Sequence, residues 1–275
     1  MRLIRFIDEG GHQRFGHAFE NGQAMLLEGD LITGWTQTND IVRVKKLLAP
    51  VAPPAILCIG LNYHQHAQET GMEAPKYPVV FMKNPAAIAN PEDPILLPAA
   101  CMQPPEVDYE AELAVVIGRT AKDVSTDEAL SYVLGYTAAN DVSARRWQGR
   151  RGSGQWVRGK SFDTFCPLGP ELVTADEIID PQKLRLTCEL NGQVMQDGHT
   201  SDMIFSVAEL ISFLSTGTTL MPGTAILTGT PSGVGFTRKP PVYLMPGDRV
   251  KVALEGIGTL SNSVELQESD SMPSS

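Results

Sequence analysis

The chain has 275 residues, a net charge of −10, 42% hydrophobic residues and four cysteines. That length buries a full core, as one large domain or as a large domain with a small one. The acidic balance argues against nucleic acid and anionic membrane as partners, and no stretch approaches the roughly 20 apolar residues of a membrane helix. The first residues, Met1 to Asp8, are charged too early for a signal peptide. Cys58, Cys101, Cys166 and Cys188 are scattered and lack zinc spacing, so they read as reduced thiols of a cytoplasmic protein.

Residues 1–48 read as a small amino-terminal β-rich domain. Short strands are predicted at Leu3–Ile7, Phe15–Phe19 and Ala24–Leu27, separated by Gly10-Gly11 and Asn21-Gly22 turns. Residues 49–54, Ala-Pro-Val-Ala-Pro-Pro, form a stiff Pro-rich linker. A larger domain, 55–267, follows. Its strands are predicted at Ala55–Ile59, Val79–Met82, Leu113–Ile117, Leu184–Leu190, Ala225–Thr228 and Val250–Leu254, with a hairpin turn at Asn191-Gly192. Ser125 with Glu128 and Ser206 with Glu209 have the spacing of capping boxes. The second precedes a helix that carries Val207, Leu210, Ile211 and Leu214 on one face and stops before Gly217. So few helices exclude a doubly wound parallel sheet and predict a mainly β (α+β) fold. Residues 268–275 have nothing to bury and are expected to be disordered.

Five segments bear on chemistry. In Gly60 to Glu69, a short polar helix is predicted; His66 and Glu69, three apart, share a face as a plain surface pair or as a dyad in which the carboxylate orients the imidazole. The polar continuation to Lys76 suits a mobile lid. Val107 to Gly118 reads as one strand with Asp108, Glu110 and Glu112 on a single face, either solvated, or protonated, or gathered round a cation. Asp141 ends a near-apolar strand, where it is a cap or turn residue or the third member of an all-oxygen set with Glu110 and Glu112. Such a set suits Mg²⁺ or Mn²⁺. From Arg145 to Lys160 six basic residues occur with no acid, in a glycine-rich stretch that reads as a loop. It is solvated, or else Arg145 and Lys160 clamp a carboxylate or oxyanion, with Gln148 on the same side. Leu227 to Gly235 is a Gly-rich turn around Thr230 without the Lys of a phosphate loop.

The motifs Asp108-Tyr109-Glu110-Ala111-Glu112-Leu113, Asn140 to Arg145, Gly159 to Phe165 and Thr228-Gly229-Thr230-Pro231 resemble, in order and spacing, the fumarylacetoacetate hydrolase family. The resemblance covers about Ala55 to Val264. Arg158 to Pro170 and Arg238 to Leu244 carry a closer likeness to its domain-containing protein 2 group. It implies a mixed β-sandwich roll, a homodimer, and one Mg²⁺ or Mn²⁺ per active site held by Glu110, Glu112 and Asp141. It also implies a catalytic His66–Glu69 dyad with Lys160, and substrate contacts from Arg145, Gln148 and Thr230, with Asp108 structural. The implied substrates are 2-oxo (di)carboxylic or β-dicarbonyl acids, handled through a metal-held enolate. The reaction would be C–C hydrolysis of acylpyruvate type or oxaloacetate enol–keto tautomerisation, with oxaloacetate decarboxylation as the alternative. An inactive metal-dependent binding module is the reading from another class, disfavoured because the whole residue set is present. Specificity is expected from Met72 to Lys76, Tyr77 and Gln148 to Trp156.

Overall fold

A strand covered on both faces can be apolar throughout, and Ala111–Ile117 is such a strand. Leu113, Val115 and Ile117 enter one core, while Ala114 and Val116 enter another. In the computed structural model, which describes residues 1–268, this strand pairs antiparallel with Val133–Asn140 on one side and Ala225–Leu227 on the other. The expected tail lies, from residue 269 onward, outside the described residues.

These strands belong to an 11-stranded sheet that ends at the edge strand Val79–Lys83, next to Ile56–Gly60. A five-stranded sheet contains Arg185–Leu190, Gln193–His199, Arg249–Leu254 and Gly258–Leu266. Its Leu186, Cys188, Val250, Val252 and Leu260 share a core with Leu113, Val115 and Ile117, so the two sheets face each other. The fold is mainly β, as expected. Strand Arg2–Asp8 pairs with Cys166–Thr174, which joins the four amino-terminal strands to the large sheet.

Local chemistry explains which predicted elements form as drawn. Asn191 and Gly192 take φ values of 53° and 80°, as a two-residue hairpin turn requires. Ser206 and Glu209 make a complete capping box on helix Val207–Ser215, whose Leu210 and Ile211 are fully buried. Each such side chain contributes roughly 1.5–3 kcal/mol. The Ser125 box does not form. Helix Thr126–Ala129 is one turn long, and the Ser125 hydroxyl bonds the Glu128 carboxylate at 2.9 Å instead of a backbone N–H.

The expected single strand over Val107–Gly118 is also corrected. It is two strands, Val107–Asp108 and Ala111–Ile117, and the first pairs with Ser143–Ala144. At the break, side chains replace the ladder: Glu110 N–H donates to Asn140 Oδ1 at 3.0 Å and Ala111 N–H to Gln196 Oε1 at 2.9 Å. Asp108 lies outside the acid cluster and accepts instead from Arg145 and from the Gly235 and Phe236 N–H groups. The basic stretch is not a loop either. It folds into short helical turns, Arg145–Gln148, Arg150–Gly152 and Trp156–Lys160. Gly159 allows this packing, since a Cβ there would lie 2.8 Å from Gln148 N and 3.0 Å from the Ala144 carbonyl.

Candidate active site

Glu110, Glu112 and Asp141 converge at the end of the central strands. The Asp141 N–H donates to the Glu110 carbonyl at 2.8 Å, which fixes one strand end against the other. Each carboxylate offers an oxygen, and these all lie within 4.8 Å of one another, buried. Glu110 and Glu112 line a cavity of about 630 Å³ together with His66, Arg145, Gln148 and Lys160.

Cations hold two of the three acids. Lys160 Nζ lies 2.6 Å from both Glu110 Oε2 and Asp141 Oδ2. Arg145 donates to Glu110 Oε1 at 2.7 Å, from Nε and Nη2 to the single oxygen Oδ2 of Asp108 at 2.9 and 2.8 Å, and to Gln148 Oε1 at 3.0 Å. Its guanidinium stacks over Phe236 at 4.3 Å. Burial alone would raise Glu110, but Lys160 and Arg145 override it and hold the carboxyl far below its ordinary range. The same pairing works in reverse on Lys160: burial opposes its charge, and Asp141 and Glu110 overcome that and raise its proton affinity.

Glu112 is different. It is buried, its Oε2 accepts the Gly229 N–H at 2.8 Å, and no cation pairs with it among the described residues. Burial, then the charges of Asp141 and Glu110, push its carboxyl well above the usual range. A buried all-oxygen set with one uncompensated carboxylate fits a hard divalent cation, Mg²⁺ or Mn²⁺, and not zinc. The raised Glu112 proton affinity has a measurable consequence. In metal-free protein this group holds its proton to higher pH than an ordinary carboxyl, and a bound cation competes with that proton, so apparent Mg²⁺ affinity should rise with pH. A raised carboxyl favours folding below its unfolded pKa and loses that contribution as pH rises through the folded one, so Mg²⁺ stabilisation should grow over the same window. Calorimetry in buffers of different ionisation enthalpy should record proton release; an affinity independent of pH, with none released, would contradict it.

The dyad stands at the cavity wall. Helix His64–Thr70 carries His66, whose Nδ1 lies 3.1 Å from Glu69 Oε2. Glu69 Oε1 accepts from Gly233 N–H and the Thr237 hydroxyl, each at 2.9 Å. Burial opposes the charge on Glu69, but His66 and these donors outweigh it and lower the carboxyl. The helix is anchored in front by Asn62, whose amide donates to the Thr228 carbonyl at 2.8 Å. Gly229, at φ 97°, is required there because a Cβ would approach Asn62 Cβ to 2.7 Å.

The structure therefore brings His66, Glu110, Glu112, Arg145, Gln148, Lys160 and Thr230 to one cavity, with Glu69 behind His66 and Asp141 behind Lys160. The Thr230 hydroxyl donates to the Ala111 carbonyl at 2.9 Å and accepts from Gln196 at 2.7 Å. Two further residues were not foreseen. Lys83, 1% exposed, pairs with Asp141 on the side opposite Lys160 and donates to the Val142 carbonyl at 3.1 Å. Gln196, equally buried, ties Ala111 to Thr230 and to the Pro231 carbonyl.

Residues 55–265 match the family described as fumarylacetoacetate (FAA) hydrolase C-terminal. The chain belongs to the fumarylacetoacetate hydrolase family. It is 50% identical over 229 residues to the fumarylacetoacetate hydrolase domain-containing protein 2 homolog of Dictyostelium discoideum, covering 80% of this chain and 74% of that protein. It is 48% identical over 218 residues to the mitochondrial oxaloacetate tautomerase FAHD2A of Homo sapiens, covering 79% of this chain and 68% of that protein. Among solved structures, 5-carboxymethyl-2-hydroxymuconate delta-isomerase of Mycobacterium smegmatis superposes with a TM-score of 0.84 and 40% identity, over 97% of this chain and all (100%) of that one. The chain is thus an enzyme of this family. No helix among the described residues is long and apolar enough to cross a membrane.

Proposed function

We propose that this fumarylacetoacetate hydrolase family enzyme catalyses enol–keto tautomerisation of oxaloacetate-type 2-oxo dicarboxylic acids with Mg²⁺ or Mn²⁺ bound. The observation that carries the reading is that the His66–Glu69 pair and the Glu110, Glu112 and Asp141 carboxylates serve one cavity. The relative named oxaloacetate tautomerase, and the structural neighbour named as an isomerase, support proton transfer as the chemistry.

Glu110, Glu112 and Asp141 would hold the cation, which when bound supplies Lewis acidity towards the oxo-acid end. Arg145 fixes Gln148 by its 3.0 Å bond, and the Gln148 amide nitrogen, without a partner among the described residues, is free to donate to the substrate carboxylate. Lys160 commits two of its three protons to Glu110 and Asp141, which leaves one N–H for the developing oxyanion. Tautomerisation takes a proton from the 2-hydroxyl oxygen and delivers one to C3. With Nδ1 committed to Glu69, His66 has Nε2 left to exchange the proton at carbon.

His66→Ala should accordingly slow loss of the oxaloacetate enol absorbance by about 10²- to 10⁴-fold, the usual worth of a positioned acid–base group. It should leave Mg²⁺ stabilisation intact; unchanged turnover would exclude His66 from proton transfer. Hydrolysis is the second reading, favoured by the same dyad, because an imidazole held by a carboxylate also activates water. That reading requires wild-type cleavage of an acylpyruvate, abolished by His66→Ala, whereas decarboxylation of oxaloacetate should survive the substitution nearly intact. A homodimer belongs to the same proposal, supported by Val79, Val80 and Met82, exposed 37, 42 and 43% along the free edge strand.

A further inference from the structure

Three cationic side chains line the cavity: Arg145, Lys160 and Arg150. The first two are neutralised where they stand, Arg145 by Asp108 and Glu110, Lys160 by Glu110 and Asp141. Arg150 differs from both. It is exposed, and among the described residues no carboxylate lies within 4.0 Å of it and its guanidinium makes no hydrogen bond. An arginine so placed is available to an anion that arrives with the ligand.

Its position is fixed by backbone and not by partners. Arg150 opens the turn Arg150–Gly152 directly after helix Arg145–Gln148. Gly149 N–H donates to the Arg145 carbonyl at 2.9 Å, Gly154 N–H to the Gly149 carbonyl at 3.0 Å, and Gln155 N–H to the Trp147 carbonyl at 3.0 Å. The turn is therefore carried by the same short helix that holds Arg145 and Gln148. The wall also carries the apolar side chains of Leu61, Met72, Phe81 and Trp156. Those side chains give a second carboxylate no compensation for lost water. The volume of about 630 Å³ exceeds what a two-carbon oxo-acid head fills and leaves room for the rest of a longer substrate.

We propose that Arg150 selects substrates with a second carboxylate at the end remote from the 2-oxo acid. This rests on the oxo-acid reading of the cavity and assigns the residue that recognises the second carboxylate within it. The site then divides the work. Gln148 and the cation that the acid set would hold take the reacting end, and Arg150 takes the distal charge by charge-assisted hydrogen bonds. Because Arg150 is exposed, the preference it confers should be moderate, about 10-fold, and should shrink as salt is raised.

The test is calorimetric binding of oxaloacetate and of its 4-ethyl ester to the Mg²⁺-loaded protein, with enol loss recorded separately for both. Wild type should prefer the diacid by about 10-fold, Arg150→Gln should bring the two within about twofold, and Arg150→Lys should retain part of the preference. A preference that persists in Arg150→Gln, or a wild type that never discriminates, overturns the role given to Arg150. Binding without turnover separates the two claims: a diacid preference lost in Arg150→Gln upholds Arg150 even where no tautomerisation occurs. A wild type that binds neither compound overturns Arg150 together with the oxo-acid reading.

Discussion

Replacing Lys160 with methionine should lower kcat on oxaloacetate by about 10²- to 10³-fold, the usual cost of removing one preorganised charge donor to an oxyanion. Lys160 is almost fully buried, and the 2.6 Å contacts to Glu110 and Asp141 leave its ammonium no freedom to point elsewhere. Methionine keeps the volume and removes only the charge. The metal-free variant should also lose stability, on the order of 3–5 kcal/mol, because two buried carboxylates lose a shared counter-ion. Mg²⁺ should recover much of that loss, since its positive charge meets the same two groups. A kcat within tenfold of wild type, with Mg²⁺ bound, would mean that Lys160 balances the carboxylates and contributes little to the chemistry.

Glu112→Gln and Glu110→Gln should move metal-free stability in opposite directions. Glu110 faces Lys160 and Arg145, so its loss leaves two buried cations short of an acid and should destabilise the protein. Glu112 has no such partner, and replacing an uncompensated buried carboxyl by an amide of the same shape should be neutral or stabilising. Both should abolish turnover and the thermal gain from Mg²⁺. At 100 times the dissociation constant that gain is about 2.7 kcal/mol in wild type. Thermal melts of both variants with and without Mg²⁺ check the pair. Equal destabilisation in metal-free protein would mean that Glu112 has a counter-charge, and the cation-shaped deficit at the cavity floor would disappear with it.

The acids were legible in the sequence because their spacing is local: Glu110 and Glu112 are two apart beside a buried strand, and Asp141 directly follows Asn140 at a strand end, although strand alternation wrongly added Asp108 to the set. Hairpin Asn191-Gly192 and the Ser206 capping box were legible for the same reason. What escaped is non-local. The break after Asp108 depends on Asn140 and Gln196, 30 and 85 residues from the backbone groups they bond. Lys83 ends an edge strand, where a lysine ordinarily reaches water; only the fold folds it back against Asp141, 58 residues away. The basic stretch looked like a loop because its glycines hide how closely Gly159 packs against Gln148. Arg145 offered no signal that its guanidinium binds Asp108 and Glu110 within the protein.

The most direct measurement follows oxaloacetate with Mg²⁺ in two parallel records, loss of the enol absorbance and formation of pyruvate. Enzyme-dependent enol loss without pyruvate is the predicted result. Pyruvate formed in step with enol loss would contradict it in favour of decarboxylation, and silence in both records with Mg²⁺ bound would contradict it in favour of an acylpyruvate hydrolase.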